Sequence, residues 1–134
     1  MRCLVTHVDF IEYEPVHKEV SNAEDVEKKV YRLEQLLVIF TAVEEKDNEE
    51  KLKKMVSEVL KTVEHLGVRK ILIYPFAHLS NQLARPSRAL ELIKQFEGML
   101  KEKGLEVSRA PFGWSKGLHI KVKSHPFAEQ LKVV

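Results

Sequence analysis

The segment Ile71 to Ser80, ILIYPFAHLS, restricts the fold more than any other stretch of the chain. Ile71, Leu72 and Ile73 form an unbroken apolar run, the pattern of a strand covered on both faces. Tyr74-Pro75 then ends the ladder, because proline has no N–H to donate and holds the residue before it extended. Phe76-Ala77-His78 follows, aromatic and small groups around one imidazole at the end of a central strand. In open α/β sheets ligands sit at such strand ends. Two readings therefore stand: a strand end tucked into the core with a hydrogen-bonded histidine, or one wall of a ligand site.

A strand covered on both faces needs partners, and the chain supplies them. Leu52, Met55, Val56, Val59, Leu60, Val63 and Leu66 recur at helical spacing as one apolar stripe, stopped by Gly67. Asp47 and Glu50 have the spacing of a capping box at its start. Pro86 is placed to begin a second helix, with Ala89, Leu90, Ile93, Phe96 or Glu97, and Leu100 on its buried side and Gly104 at its end. Both stripes read as core.

The remaining segments read as strands. Arg2–Val8 is the first, and Asp9-Phe10 turns or bulges into a half-exposed Ile11–Glu14, with Pro15 pushing its continuation to an edge. Val16–Tyr31 is expected to be irregular, with room for one helical turn after Ser21 or Asn22. Leu33–Val43 is a second central strand. Leu105–Phe112 and Trp114–Lys123 follow, joined tightly through Gly113, and Phe127–Leu131 is expected to form a short turn. The fold class is thus α/β or α+β: a mixed β-sheet with two main helices packed on it, in a single domain spanning residues 1–134.

Charge and cysteine content narrow the function. A net charge of +2 is too small to announce nucleic-acid binding, although Lys116, His119, Lys121, Lys123 and His125 cluster. Cys3, the single cysteine, excludes an internal disulfide and a cysteine-rich zinc site. No apolar run is long enough for a membrane span and no signal peptide follows Arg2, so the expected location is cytoplasmic. No Walker loop, dinucleotide fingerprint or nucleophile elbow is present. His7, Asp9, His78, His119 and His125 have no metal-ligand spacing, and neither metal nor cofactor is expected.

Three residues stand out for chemistry. Lys116 shares strand parity with Trp114, Leu118, Ile120 and Val122, so it either snorkels past the strand end or points into a cleft walled by Trp114. Gly117 beside it would let a ligand or another backbone approach. Ala110-Pro111-Phe112-Gly113 ends its strand much as Tyr74-Pro75-Phe76-Ala77 does, so His78 and Lys116 could share a pocket. Glu129 is a third polar candidate beside the simpler reading of a solvated acid.

The blocks MRCLVTHVDFIEYE (Met1–Glu14), YPFAHLS (Tyr74–Ser80), APFGWSK (Ala110–Lys116) and HPFAE (His125–Glu129), in this order and spacing, make the chain resemble the archaeal-type threonyl-tRNA synthetase N-terminal editing domain. That resemblance covers the whole chain and implies a D-aminoacyl-tRNA deacylase-like fold, usually paired as a homodimer. It implies hydrolysis of L-serine wrongly esterified to tRNA(Thr), with the 3′ end of the charged tRNA as partner and its 2′-hydroxyl assisting. The domain would be fused to, or act with, the synthetase catalytic domain. Carried over by motif, Lys116 would be the principal catalytic side chain, and His78 and Glu129 would help hold substrate and water. Pro75, Phe76 and Ala77 would present backbone groups to the seryl moiety, Val43 would line the pocket, and Tyr74 and Trp114 would shape its wall and the adenosine site. Two positions depart from the family pattern: Ser115 stands where tyrosine is frequent, and Phe10 where the opening block often has tyrosine. A broader D-aminoacyl-tRNA deacylase and a non-catalytic tRNA-binding or dimerisation module are the alternatives.

Overall fold

A computed structural model describes residues 1–134. The element order is β1 (Arg2–Lys18), β2 (Tyr31–Ala42), α1 (Glu49–Leu66), β3 (Lys70–Pro75), a 3₁₀ turn (Ala77–Leu79), α2 (Pro86–Glu102), β4 (Glu106–Arg109), β5 (Trp114–Val122) and β6 (Glu129–Val133). The sheet runs β4-β3-β2-β1-β5, with β6 pairing the other half of β1. β3 is parallel to β2 and β4, and the remaining pairs are antiparallel. The expected mixed α+β sheet with two helices is what forms.

Alternation along the central strands sorts the core into two layers. Cys3, Val5, Leu37, Ile39, Ile71 and Ile73 point to one face and pack with Leu52, Met55, Val56, Val59 and Val63 of α1 and with Leu92, Ile93, Phe96 and Leu100 of α2. Val8, Leu36, Val38, Phe40, Leu72 and Tyr74 point to the other face, which carries no helix. Burying each such side chain contributes about 1.5–3 kcal/mol. The α2 stripe runs through Leu92 rather than Leu90, which is half-buried, so the buried face is rotated from the one expected.

The helix starts obey local chemistry with one change of residue. Asn48, not Asp47, caps α1 by accepting the Lys51 N–H at 3.0 Å. Asp47 is buried instead, accepting from the Met1 α-ammonium at 2.6 Å and from the Glu44 N–H at 2.7 Å. Burial with a cation partner outcompetes the capping position expected of it.

Three expectations about strands are corrected. Arg2–Val8 and Ile11–Glu14 are one strand, running on to Lys18, and no helical turn follows Ser21 or Asn22. The irregularity at Asp9 is real but is shared with β2: Val8 faces Leu36 and Phe10 faces Glu34, while Gln35 between them takes φ 53°. Both strands change parity there, so Ile11 and Tyr13 join the same face as Val8. Past the Tyr13–Tyr31 pair β1 has only β5 beside it, which is where Pro15 falls, at a local edge. Residues 129–133 form a strand, not a turn, pairing with Arg2–Thr6.

The third correction shapes the site. β5 does not pair with β4 as a tight link through Gly113 suggested; it pairs with β1 at the opposite side of the sheet. Four strand gaps measure about 19 Å in a flat sheet, and five extended residue steps span at most about 18 Å. The short 110–113 link therefore requires a curled sheet that brings the end of β1 and the start of β5 back toward β3.

Candidate functional site

The curl and the parallel strands together make a cavity. It lies at the C-terminal ends of β2 and β3, beside the start of α2, and holds about 570 Å³. Val43, Tyr74, Phe76, Ala77 and His78 form one wall, and Phe112, Trp114, Ser115 and Lys116 the other. The floor comes from Ala89 and Ile93 of α2. This is the position that the direction of parallel strands favours for ligands in open sheets.

Lys116 is held from below. Its Nζ donates to the Pro111 and Trp114 carbonyls, both at 3.1 Å, and lies 4.9 Å from the centroid of the Tyr74 ring. It pairs with no carboxylate. Burial without an anionic partner pushes its ammonium down to about 8. An ammonium in this state carries positive charge at neutral pH and offers it to whatever enters the cavity. Of the two directions open to Lys116 in the sequence, the structure adopts the inward one.

The facing wall offers backbone donors. Phe76 N–H is spent on Thr41 C=O at 2.8 Å, which extends the β2–β3 pairing past Pro75. The 3₁₀ turn over Ala77–Leu79 closes with Ser80 N–H on Ala77 C=O at 3.4 Å. A 3₁₀ turn bonds each N–H to the residue three before it, so the N–H groups of Ala77 and His78 have no partner inside it. His78 is exposed on this turn, its ring edge-on to Phe76 at 5.0 Å. Tyr74 is buried against Phe40 and Tyr13, and that burial pushes its phenol up to about 12, so it stays neutral.

The wall carrying Lys116 is clamped by residues that sequence reasoning missed. Trp114 Nε1 donates to Glu24 C=O at 2.7 Å, and the Glu24 carboxylate accepts from Phe112 N–H at 2.9 Å and from Arg109. Arg109 also donates to Glu97 of α2 at 2.9 Å. Burial would raise the Glu97 carboxyl, but the Arg109 and Lys101 partners hold it below its ordinary value. Glu19 N–H reaches Gly113 C=O at 2.7 Å. The irregular 19–30 segment is thus a strap over the 110–114 corner. No local pattern marks it, because its partners lie more than eighty residues away.

Ser115 lies on the Lys116 wall but the other candidates fall elsewhere. Ser115 Oγ exchanges long hydrogen bonds with the His17 backbone, at 3.3 and 3.4 Å. Gly117 lies outside the cavity, where a Cβ would meet only Glu14 at 3.9 Å. Glu129 is exposed at the start of β6 and is not among the cavity walls. Its cross-strand neighbours Thr6, Val38 and Leu72 put it on the sheet face of Tyr74, three strands from β3. The histidines do not converge. His7 Nδ1 meets His125 Nε2 at 2.8 Å, and His119 pairs with Glu12. Cys3 is buried with its thiol pushed up to about 12 by that burial, so it is no nucleophile.

These features define an α+β domain with a cavity at its parallel-strand ends, polar at a half-buried ammonium and at the start of a 3₁₀ turn. The chain belongs to the archaea-specific editing domain family of threonyl-tRNA synthetase, whose family model matches residues 1–134. Its relatives include threonine–tRNA ligases from Nitrosopumilus maritimus, 44% identical over the whole chain, and Cenarchaeum symbiosum, 46% identical over the whole chain. The chain spans about one fifth (21%) of the length of each of these relatives. In fold it is similar to a solved structure of the c-Myc DNA unwinding element binding protein, with TM-score 0.76 at 13% identity, covering 100% of this chain and 99% of that one. No helix is long and apolar enough to cross a membrane.

Proposed function

We propose that the chain hydrolyses the ester bond of L-seryl-tRNA(Thr), as the proofreading domain of a threonyl-tRNA synthetase acting in the cytoplasm. One observation carries this reading: the Lys116 ammonium, half-buried without a counter-ion, faces the same cavity as the Ala77–His78 turn. The need for such a site is physical. Serine lacks one methyl of threonine, a difference worth only about 1–3 kcal/mol in an aminoacylation pocket.

In the proposed mechanism a water attacks the ester carbonyl and the ribose 3′-oxygen leaves. Lys116 orients the terminal ribose and the attacking water through N–H donors, and its charge stabilises the negative charge that develops on the carbonyl oxygen. The N–H groups of Ala77 and His78 bind the seryl group, with Pro75 and Phe76 fixing their position. Val43 borders the same space, and Tyr74 and Trp114 shape the wall on which the terminal adenosine rests. Ser115 completes that wall. No side chain serves as nucleophile; as the family resemblance implies, the neighbouring ribose 2′-hydroxyl takes part in moving the proton from the attacking water to the leaving 3′-oxygen. Glu129 joins as a group that the bound tRNA reaches from outside the cavity, alongside His78 at its rim. Pairing with a second copy belongs to the same proposal.

The test is release of labelled amino acid from Ser-tRNA(Thr) and Thr-tRNA(Thr), with wild type and Lys116→Met side by side and no metal added. Serine alone is expected to be lost, and the variant to be slower by about 10²–10³-fold. If neither ester is cleaved while tRNA still binds, the domain is a recognition module and the catalytic reading fails. Equally fast hydrolysis of D-seryl-tRNA(Thr), run as a third substrate, would make it a broader deacylase.

A further inference from the structure

We propose that Glu44 is a positioning residue, which acts through Ser80 to fix the turn that carries His78 on the cavity wall. This rests on the deacylase reading above and assigns no substrate contact to Glu44 itself.

The Ala77–Leu79 turn is a short connection across the mouth of the cavity, and it has two anchors. At one end Phe76 N–H is bonded to Thr41 C=O at 2.8 Å. At the other, Ser80 Oγ donates to Glu44 Oε2 at 2.6 Å and accepts from Gln82 N–H at 3.0 Å. His78 is two residues from that second anchor and takes its position from the backbone between them.

Glu44 is itself fixed from four directions. Its Oε1 accepts from the Met1 α-ammonium at 3.0 Å, and Arg2 Nε lies 3.5 Å from Oε2. Its N–H donates to Asp47 at 2.7 Å, and its backbone bridges Leu83 in antiparallel fashion. The flanking bonds Ala84 N–H to Val43 C=O at 3.0 Å and Glu45 N–H to Gln82 C=O at 2.9 Å close a small ladder beside the cavity. Val43 and Ala84, both cavity residues, belong to this ladder. A carboxylate only 16% exposed, holding a hydroxyl at 2.6 Å, is a rigid support. Burial works against its charge, but Ser80, the α-ammonium and Arg2 hold the carboxyl below its ordinary value. It therefore stays an acceptor through the neutral range. A support of this kind sets where the His78 imidazole and the Ala77 and His78 N–H groups stand relative to Lys116, and displacement by about 1 Å can cost up to about 10²-fold in rate.

The test compares Glu44→Gln, Ser80→Ala and Ser80→Thr, using kcat and KM for Ser-tRNA(Thr) and the imidazole ¹H–¹⁵N resonances of His78. In Glu44→Gln the amide cannot accept from both Ser80 and the α-ammonium. Ser80→Ala removes the hydroxyl, and Ser80→Thr keeps it. Glu44→Gln and Ser80→Ala are each expected to lower kcat about tenfold with KM changed less than about twofold, and to move the His78 resonances. The double variant should be little worse than Glu44→Gln alone, because Ser80→Ala removes a link that Glu44→Gln has already broken. Ser80→Thr should restore kcat to within about twofold of wild type. Lowered melting temperature with kcat and the His78 resonances unchanged would overturn the proposal, leaving Glu44 a purely structural residue. The resonances are read without turnover, so they decide the matter even if wild type leaves Ser-tRNA(Thr) intact, an outcome that would sink the deacylase reading instead. Should Glu44→Gln fail to fold, the Ser80→Ala and Ser80→Thr pair decides alone.

Discussion

Lys116 should make the folded state less stable at neutral pH than at alkaline pH, and Lys116→Met should abolish that dependence. The folded-state value is pushed down to about 8 by burial, from an ordinary 10.5. Between those values the unfolded chain binds more protons than the folded one, so stability rises with pH. Below about pH 8 both states are protonated and the full cost of burying the charge is present. Proton linkage with these two values gives a rise of about 1.3 kcal/mol between pH 7 and pH 9, trimmed to about 1 kcal/mol because part of the side chain meets solvent. Paired urea unfolding of wild type and Lys116→Met at pH 7, 8 and 9 isolates this amount, since every other titrating group cancels in the difference. The difference should move in favour of wild type by about 1 kcal/mol as pH rises. A difference that stays flat would show that the ammonium is neither desolvated nor held ready in the cavity. Activity should follow the opposite course. The ammonium fraction falls from about nine tenths at pH 7 to about one tenth at pH 9, so the wild-type-to-variant rate ratio should shrink several-fold over that range.

The strap over the 110–114 corner is open to two tests. Glu24→Ala leaves Arg109, 13% exposed, with Glu97 alone and orphans the Phe112 N–H; urea unfolding should show a loss of about 2–3 kcal/mol. Gly113→Ala meets φ +83° and would put a Cβ 2.5 Å from Val20 Cγ2 and 2.9 Å from Ala23 Cα. A loss of about 1–3 kcal/mol is expected by calorimetry, and a melting temperature equal to wild type would mean that the strap gives way freely.

Much of this protein was determined by local sequence. The α1 stripe from Leu52 to Val63 and the Gly67 stop at φ +67° are legible because helical periodicity and a left-handed cap are properties of neighbouring residues. The apolar runs at Leu36–Phe40 and Ile71–Ile73 announced strands with two covered faces, and both core layers meet on them. The motif blocks fixed the family, because their order and spacing survive without knowledge of any contact.

Only the tertiary structure decided which segments meet. Sequence gives no distance between Arg109 and Glu24, so the strap could not be read from it, and a short loop through Gly113 suggested a hairpin that does not form. Asp47 shows the same limit: by spacing it is a cap, but the Met1 ammonium reaches it from the other end of the numbering and burial wins. Whether Lys116 snorkelled or turned inward was undecided by strand parity, which fixes a face but not what covers it. The pairing of β5 with β1 and the short link from β4 supplied the cover, with the Tyr74 ring 4.9 Å from the ammonium and Ala77 and His78 lining the same cavity. Glu129 stayed outside for the same reason, since pairing with Thr6 holds it on β6, away from the strand ends that make the cavity. Local sequence chooses elements through short-range sterics and burial; the site exists only where long-range pairing sets those elements face to face.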